Sequence, residues 1–351
     1  MAERVTIKDV ARVSGVSIKT VSNVLNHTGS MRPETRQRVQ LAIRQLGYRL
    51  NTSARSLKTG ETRLIGLGIF DFSQPFAPYL TDKVIDAARS QGYGVITCTY
   101  GNDQQGLSSI IDETYRLGAD GWLFFAVQPL EEDATILDQS YPVVLMGEYS
   151  SYGKTDWVTM SNEQALYELT TNLIKSGFER IALIGAPMDM RNLDRIMSSS
   201  EGMSELRMRG YLRALNNSGI PVDWNLVVPC DLINREGGAI AASWLMRGAT
   251  LPDAIICLTD AAALGAMAEL QRNGISIPRD IQIVGFDNVP EGEYATPSLT
   301  SVDPMVGEYA AKAVQMLIER IEGYSGSART FTTDFTLIER DSTNFSEKHC
   351  C

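Results

Sequence analysis

From Arg63 to about residue 340 the chain alternates short apolar runs with amphipathic stretches, and this rhythm restricts the fold more than any other feature. Residues 64–69, 93–100, 121–126, 142–146, 180–185, 226–229, 254–258 and 281–285 have the length and apolar character of buried strands, and 330–337 reads as a last one. Between them, 79–91, 108–117, 163–176, 205–216, 237–246, 261–273 and 306–322 carry helical spacing. Such an order predicts an α/β fold of parallel sheets with helices on both faces. The strands are too many for one comfortable open sheet, and the pattern looks like one half used twice. Two lobes are therefore expected, with a cleft at the carboxyl ends of the strands, where ligands bind in open sheets.

Ahead of this body, residues 6–26 read TIKDVARVSGVSIKTVSNVLN. Ile7, Val10 and Ala11 stripe one short helix (7–13), and Val21, Val24 and Leu25 stripe a second (18–25). Gly15 allows a left-handed corner between them, and Ser17 is placed to cap the second helix. An ordinary helical hairpin would share these stripes, but the tight glycine turn fits a helix-turn-helix whose second helix enters the DNA major groove. Charge decides between the two. Residues 1–60 hold eleven Lys/Arg against three Asp/Glu, net +8, whereas the remainder holds 21 against 39, net −18. A basic head on an acidic body is the asymmetry expected when only the head meets polyphosphate. Pro33 opens a third helix ending at Gly47, with Val39, Ile43 and Leu46 facing inward. Residues 48–60 are polar and basic. Asn51 can cap a short helix there, one too short to persist alone and so dependent on a partner such as DNA.

Other classes are disfavoured. His27 and His349 both lie outside the body, leaving it no histidine general base. Gly66-Leu-Gly68 lacks the third glycine of a dinucleotide fingerprint, and no phosphate-loop motif occurs. The cysteines at 98, 230, 257, 350 and 351 lack metal-ligand spacing. No catalytic residues, metal or cofactor are therefore assigned. No apolar run approaches the roughly 18 residues of a membrane span, and Met1-Ala2-Glu3-Arg4 opens no secretion signal, so a cytoplasmic protein is expected. The domains expected are a helix-turn-helix head (1–49), a hinge helix and linker (50–62), a two-lobed effector-binding and dimerisation body (63–340) and a disordered tail (341–351).

With head, basic hinge and two-lobed body in that order, the chain resembles the LacI/GalR (lactose-repressor) family of bacterial regulators. The resemblance rests on the head motif above, RPETRQRV, LGYRLN and ARSLKTG, and in the body on GFERIALIG, LRMRGYLRAL, TDAAALGAMAELQRNGISIP and IVGFDNVPEGEYATPSLTSVD. It implies a body like the periplasmic sugar-binding proteins, and a homodimeric repressor of double-stranded operator DNA controlled by a small molecule, most often a sugar. In such proteins the second helix reads base edges through its exposed positions, here Ser17, Ile18, Lys19, Ser22 and Asn23. Lysine can donate to guanine, asparagine can pair with adenine, and isoleucine can meet a thymine methyl. Thr6, Ser17, Asn26 and Thr35 suit phosphate contacts, which fix register. Asn51, Ala54 and Leu57 belong to the hinge, with Leu57 matching the leucine that wedges into a minor-groove step.

Arg207 and Asp287 match the family's main effector contacts, a guanidinium fork and a carboxylate suited to sugar hydroxyls. Glu148, Thr259 and Asp71 match further cleft positions, and Phe72, Phe76 or Trp157 is the expected stacking ring. Residues 187–204 form a longer connection than the family usually has, suited to an effector lid or a partner surface. The tail is too poor in apolar residues for a tetramerising heptad seam. The competing reading is a sugar-modifying enzyme with a fused DNA-binding head.

Overall fold

In a computed structural model, which describes residues 5–25, 30–48, 60–101 and 106–344, the chain forms two compact units, Met1–Thr62 and Arg63–Cys351. The first holds helices α1 (Ile7–Ser14), α2 (Ile18–Leu25) and α3 (Pro33–Leu46). At the start of α1 the Asp9 carboxylate accepts the Thr6 backbone N–H at 3.0 Å and the Thr6 hydroxyl at 2.7 Å, closing the first turn. Gly15 ends that helix in the left-handed region, φ 66°, and Ser17 Oγ accepts the Thr20 N–H at 3.1 Å to begin α2. Val10, Ala11, Val21, Val24, Val39 and Ala42 form the miniature core, with Ile43 and Leu46 packed against it.

The second unit contains two six-stranded sheets. With β1 (Leu64–Ile69), β2 (Gly94–Thr99), β3 (Gly121–Ala126), β4 (Val143–Gly147), β5 (Asp156–Met160) and β11 (Thr330–Thr333), the first runs β11-β5-β4-β3-β1-β2, all parallel. Helices α4 (Phe76–Ser90) and α11 (Val306–Ile321) cover one face; α5 (Ile111–Leu117) and its preceding 3-10 turn lie on the other. With β6 (Ile181–Ala186), β7 (Val227–Pro229), β8 (Ala254–Cys257), β9 (Gln282–Phe286), β10 (Thr300–Asp303) and β12 (Thr336–Ile338), the second runs β12-β10-β9-β8-β6-β7, with only β12 antiparallel. Its faces carry α6 (Asn162–Lys175) and α8 (Met203–Asn217), and α9 (Arg235–Met246) and α10 (Asp260–Arg272). Two glycines let α9 and α10 approach: a Cβ on Gly238 would lie 2.0 Å from the Ala262 carbonyl oxygen, and one on Gly265 only 1.9 Å from that of Arg235.

The structure corrects several expectations. Residues 330–337 are two strands, not one. β11 completes the first sheet, the chain crosses at Asp334–Phe335, and β12 completes the second. β5 and β10 were not expected as strands. Their sequences, DWVTM and TSVD, are too polar to read as buried, yet side chains neutralise them: the buried Asp156 carboxylate pairs with Arg320 and Arg329, each at 2.7 Å, and Ser301 Oγ donates to Asp260 at 2.6 Å. The start of the tail expected to be disordered is packed. Ser342 is fully buried, donates to the Ile283 carbonyl at 2.7 Å and accepts the Thr300 N–H at 2.8 Å. Polar residues here extend the second lobe's hydrogen-bond network. No helix among the described residues is long and apolar enough to cross a membrane.

Gly265→Ala should lower the unfolding free energy by about 1–3 kcal/mol, because the new methyl overpacks a helix crossing. Urea unfolding indistinguishable from wild type would show that α9 and α10 separate without penalty.

Candidate effector site and DNA-reading helix

A cavity of about 340 Å³ lies between the two sheets, lined from both lobes. From the first lobe come Phe70 at the end of β1, Gln74 and Phe76 at the start of α4, Phe125 in β3 and Glu148 after β4; from the second come Arg207, Ile233, Thr259 and Asp287. The three phenylalanines form one wall: the Phe125 ring lies 5.8 Å from that of Phe70 and 5.7 Å from that of Phe76, both tilted. Gln74 Oε1 is buried on this wall with no hydrogen-bond partner among the described residues.

Arg207 sits in the second turn of α8 and is only 3% exposed. Its Nε donates to Asn162 Oδ1 at 2.6 Å, its Nη1 donates to the Leu258 carbonyl, and its guanidinium carbon stands 3.4 Å above the centre of the Phe286 ring. Nη2 is 3.8 Å from Asp287 Oδ1, a long contact for an ion pair. Burial lowers the arginine to about 10, even though Asp287, Glu148 and Asp260 oppose that shift. The same burial raises Asp287 to about 7. Glu148 is also raised to about 7 by burial, although its carboxylate accepts Thr159 Oγ1 at 2.5 Å and the Met160 N–H at 3.2 Å. Desolvation thus outweighs pairing in all three groups.

Asp287 reaches this position through a strained turn. Its φ is 111° and that of Asn288 is 49°, a region L-residues avoid unless neighbours fix it. They do so here: Asp287 N–H donates to the Val302 carbonyl at 2.9 Å, Asn288 N–H to Ser301 Oγ at 3.0 Å, and Arg340 Nη2 to Asn288 Oδ1 at 2.8 Å. Thr259 caps α10, accepting the Ala262 N–H at 3.1 Å, and its hydroxyl donates to the Ile233 carbonyl at 3.1 Å.

Of the five expected effector residues, Glu148, Arg207, Thr259 and Asp287 converge on the cavity. Asp71 does not: its Oδ1 accepts the Ser73 N–H at 2.7 Å and the Ser73 hydroxyl at 2.5 Å, which makes it a turn former off the cavity wall. Among the expected stacking rings only Phe76 lines the cavity. Phe72 projects outward, and Trp157 turns its Nε1 to the Gly147 carbonyl at 2.8 Å. Phe70, Phe125, Gln74 and Asn162 were missed; Phe70 lies just beyond an expected strand and Phe125 near the end of another, while Asn162 directly precedes an expected helix. Among the described residues no group of three His, Cys, Asp or Glu could hold a metal ion.

On the head, Ile18 and Lys19 are exposed and Ser22 and Asn23 half-exposed, and their spacing puts them on one face of α2. Thr6 and Ser17 are exposed at helix starts and Thr35 is half-buried on α3. Asn26, Asn51, Ala54 and Leu57 lie outside the described residues.

Residues 6–51 match the family described as bacterial regulatory proteins, lacI family, and residues 170–343 match a periplasmic binding protein-like domain. The chain is 32% identical to the HTH-type transcriptional repressor PurR of Vibrio atlanticus, over 95% of this chain and 97% of the relative. Among solved structures it is similar to a LacI-type transcription regulator from Bifidobacterium animalis subsp. lactis, at 48% identity and TM-score 0.77 over 80% of this chain and 99% of the other. It is also similar to the transcriptional regulator CelR in complex with cellobiose, at 26% identity and TM-score 0.68 over 97% and 100%.

The raised carboxyl groups set a pH dependence. Glu148 holds its proton in the fold up to about pH 7 but releases it near 4.5 when unfolded, so its contribution is complete below about 4.5 and is lost as pH rises to about 7. Asp287 acts with the same sign. Glu148→Gln should therefore make the unfolding free energy fall less, or rise more, than wild type between pH 4.5 and 7, by roughly 1–3 kcal/mol. Parallel curves from urea melts across that range would mean Glu148 is charged in the fold.

Proposed function

The chain belongs to the lacI family of bacterial regulatory proteins; it is a DNA-binding transcription regulator, and we propose that it is a homodimeric repressor whose operator affinity is set by a neutral carbohydrate held between its two lobes. The observation that carries this reading is the buried Arg207–Asp287 pair in a cavity of about 340 Å³ that three phenylalanine rings also line. A sugar presents hydroxyls to a carboxylate and a guanidinium, and apolar C–H faces to phenylalanine rings. Among the described residues the cavity lining sets three carboxyl groups, Glu148, Asp231 and Asp287, against one cation, Arg207, which leaves little positive charge to hold a phosphorylated sugar. Gln74 Oε1, unpartnered among the described residues, is an acceptor for one more hydroxyl. The CelR relative is solved with cellobiose, a ligand of the same chemical kind.

On the head, Ile18, Lys19, Ser22 and Asn23 read bases, Thr6, Ser17, Asn26 and Thr35 hold phosphates, and Asn51, Ala54 and Leu57 form the hinge that enters the minor groove. Two heads on a two-fold operator require a dimer. The body does no chemistry on its sugar. Between residues 63 and 340 it has no histidine to serve as a general base.

The test is calorimetric titration of the full-length protein with a panel of neutral mono- and disaccharides, cellobiose among them, beside their phosphorylated counterparts. A neutral sugar should bind without being consumed. Asp287→Ala should weaken that binding by about 10- to 150-fold, the loss of one charge-assisted hydrogen bond of roughly 1.5–3 kcal/mol. Preference for the phosphorylated sugars, or equal affinity in Asp287→Ala, would remove these residues from the site.

A further inference from the structure

The connection between β6 and α8, residues 187–204, is tied to both lobes. Within its own lobe it is anchored by side chains. Its short helix α7 (Leu193–Ser198) buries Ile196 completely in the second lobe's core. Arg195 pairs with Asp189 at 2.5 Å and with Glu205 at 3.1 Å, and Arg209 donates to the Ser199 carbonyl. Towards the first lobe it makes two ties, one through a side chain and one through backbone: Ser150 N–H donates to Glu201 Oε2 at 2.8 Å, and Gly202 N–H donates to the Glu148 carbonyl at 2.7 Å. The second tie requires glycine. Gly202 has φ 90°, and a Cβ there would lie 2.4 Å from Glu205 Oε2. The next two residues, Met203 and Ser204, line the cavity beside Tyr149.

Glu148 belongs to both systems, its carbonyl accepting Gly202 and its side chain lining the cavity. We propose that residues 187–204 are a latch on the effector site. It completes the cavity wall with Met203 and Ser204 and locks the lobes together through Glu201 on Ser150 and Gly202 on Glu148. An effector that seats the Glu148 loop sets the acceptor for Gly202, and the engaged latch in turn blocks that side of the cavity. The inference rests on the effector reading for what the latch encloses, not for whether it closes.

Amide hydrogen exchange on the full-length, sugar-free protein tests it. Glu201→Ala removes the acceptor for Ser150 only. A latch releases as a unit, so protection at both Ser150 and Gly202 should fall at least tenfold, while amides of β6 and of the middle of α8 keep theirs. Glu201→Gln, which retains an acceptor oxygen, should restore most of the protection. Loss at Ser150 alone would show two independent local bonds and overturn the latch, as would no loss at either amide. Because no sugar is present, a carbohydrate panel without a binder would defeat the effector reading and leave this result standing.

Discussion

Arg207 is a guanidinium almost wholly removed from water, and the second lobe is assembled so that it can be. Its partners come from three separate places: Asn162 where the chain enters the lobe, Leu258 beyond β8, and Phe286 and Asp287 at the end of β9. None of these is near it in sequence, so the charge is accommodated only once the sheet has formed. Even then its pairing with Asp287 stays loose. The contact to Asp287 is 3.8 Å, and burial pushes both partners towards their neutral forms. Breaking such a pair is more damaging than never having built it. A ligand bearing hydroxyls between the two groups would add hydrogen bonds to both charges.

The lobes that frame this site are joined by more than the three chain crossings. Arg235 Nη1 donates to the Ser73 carbonyl at 3.3 Å, and Ser161 Oγ donates to the Thr333 carbonyl at 2.7 Å, linking the first crossing to the third. These bonds are few beside the extensive apolar cores within each lobe. A seam of this sort can change its spacing without disturbing either sheet, and an equilibrium between two spacings is what a ligand needs in order to act at a distance.

Much of this was legible in the sequence because most strands of both sheets, β1 to β4 and β6 to β9, are largely apolar runs, and their number pointed to two lobes. Arg207 and Asp287 were expected together through resemblance, and the second turn of α8 and the end of β9 bring them to one cavity. What could not be read was polar structure stabilised by distant partners. β10 is a Thr-Ser strand that exists because Asp260, Ser342 and Thr343 hydrogen-bond to it. Asp71 follows a strand as Asp287 does, but the adjacent Ser73 captures its carboxylate. Phe72 and Phe76 are equally aromatic in sequence; the start of α4 points only Phe76 inward, and Phe70 and Phe125 join it from strands that looked like plain core.

The central claim is that the cleft and the DNA-reading head share one free energy. The direct measurement is the affinity of the full-length protein for a genomic fragment it selects, with and without saturating neutral sugar, together with the affinity for that sugar with and without the fragment. Coupling of this kind amounts to about 1–3 kcal/mol, so each affinity should change by roughly 5- to 150-fold, and by the same factor in both experiments. A sugar that binds in the cleft and leaves DNA affinity unchanged would contradict the account.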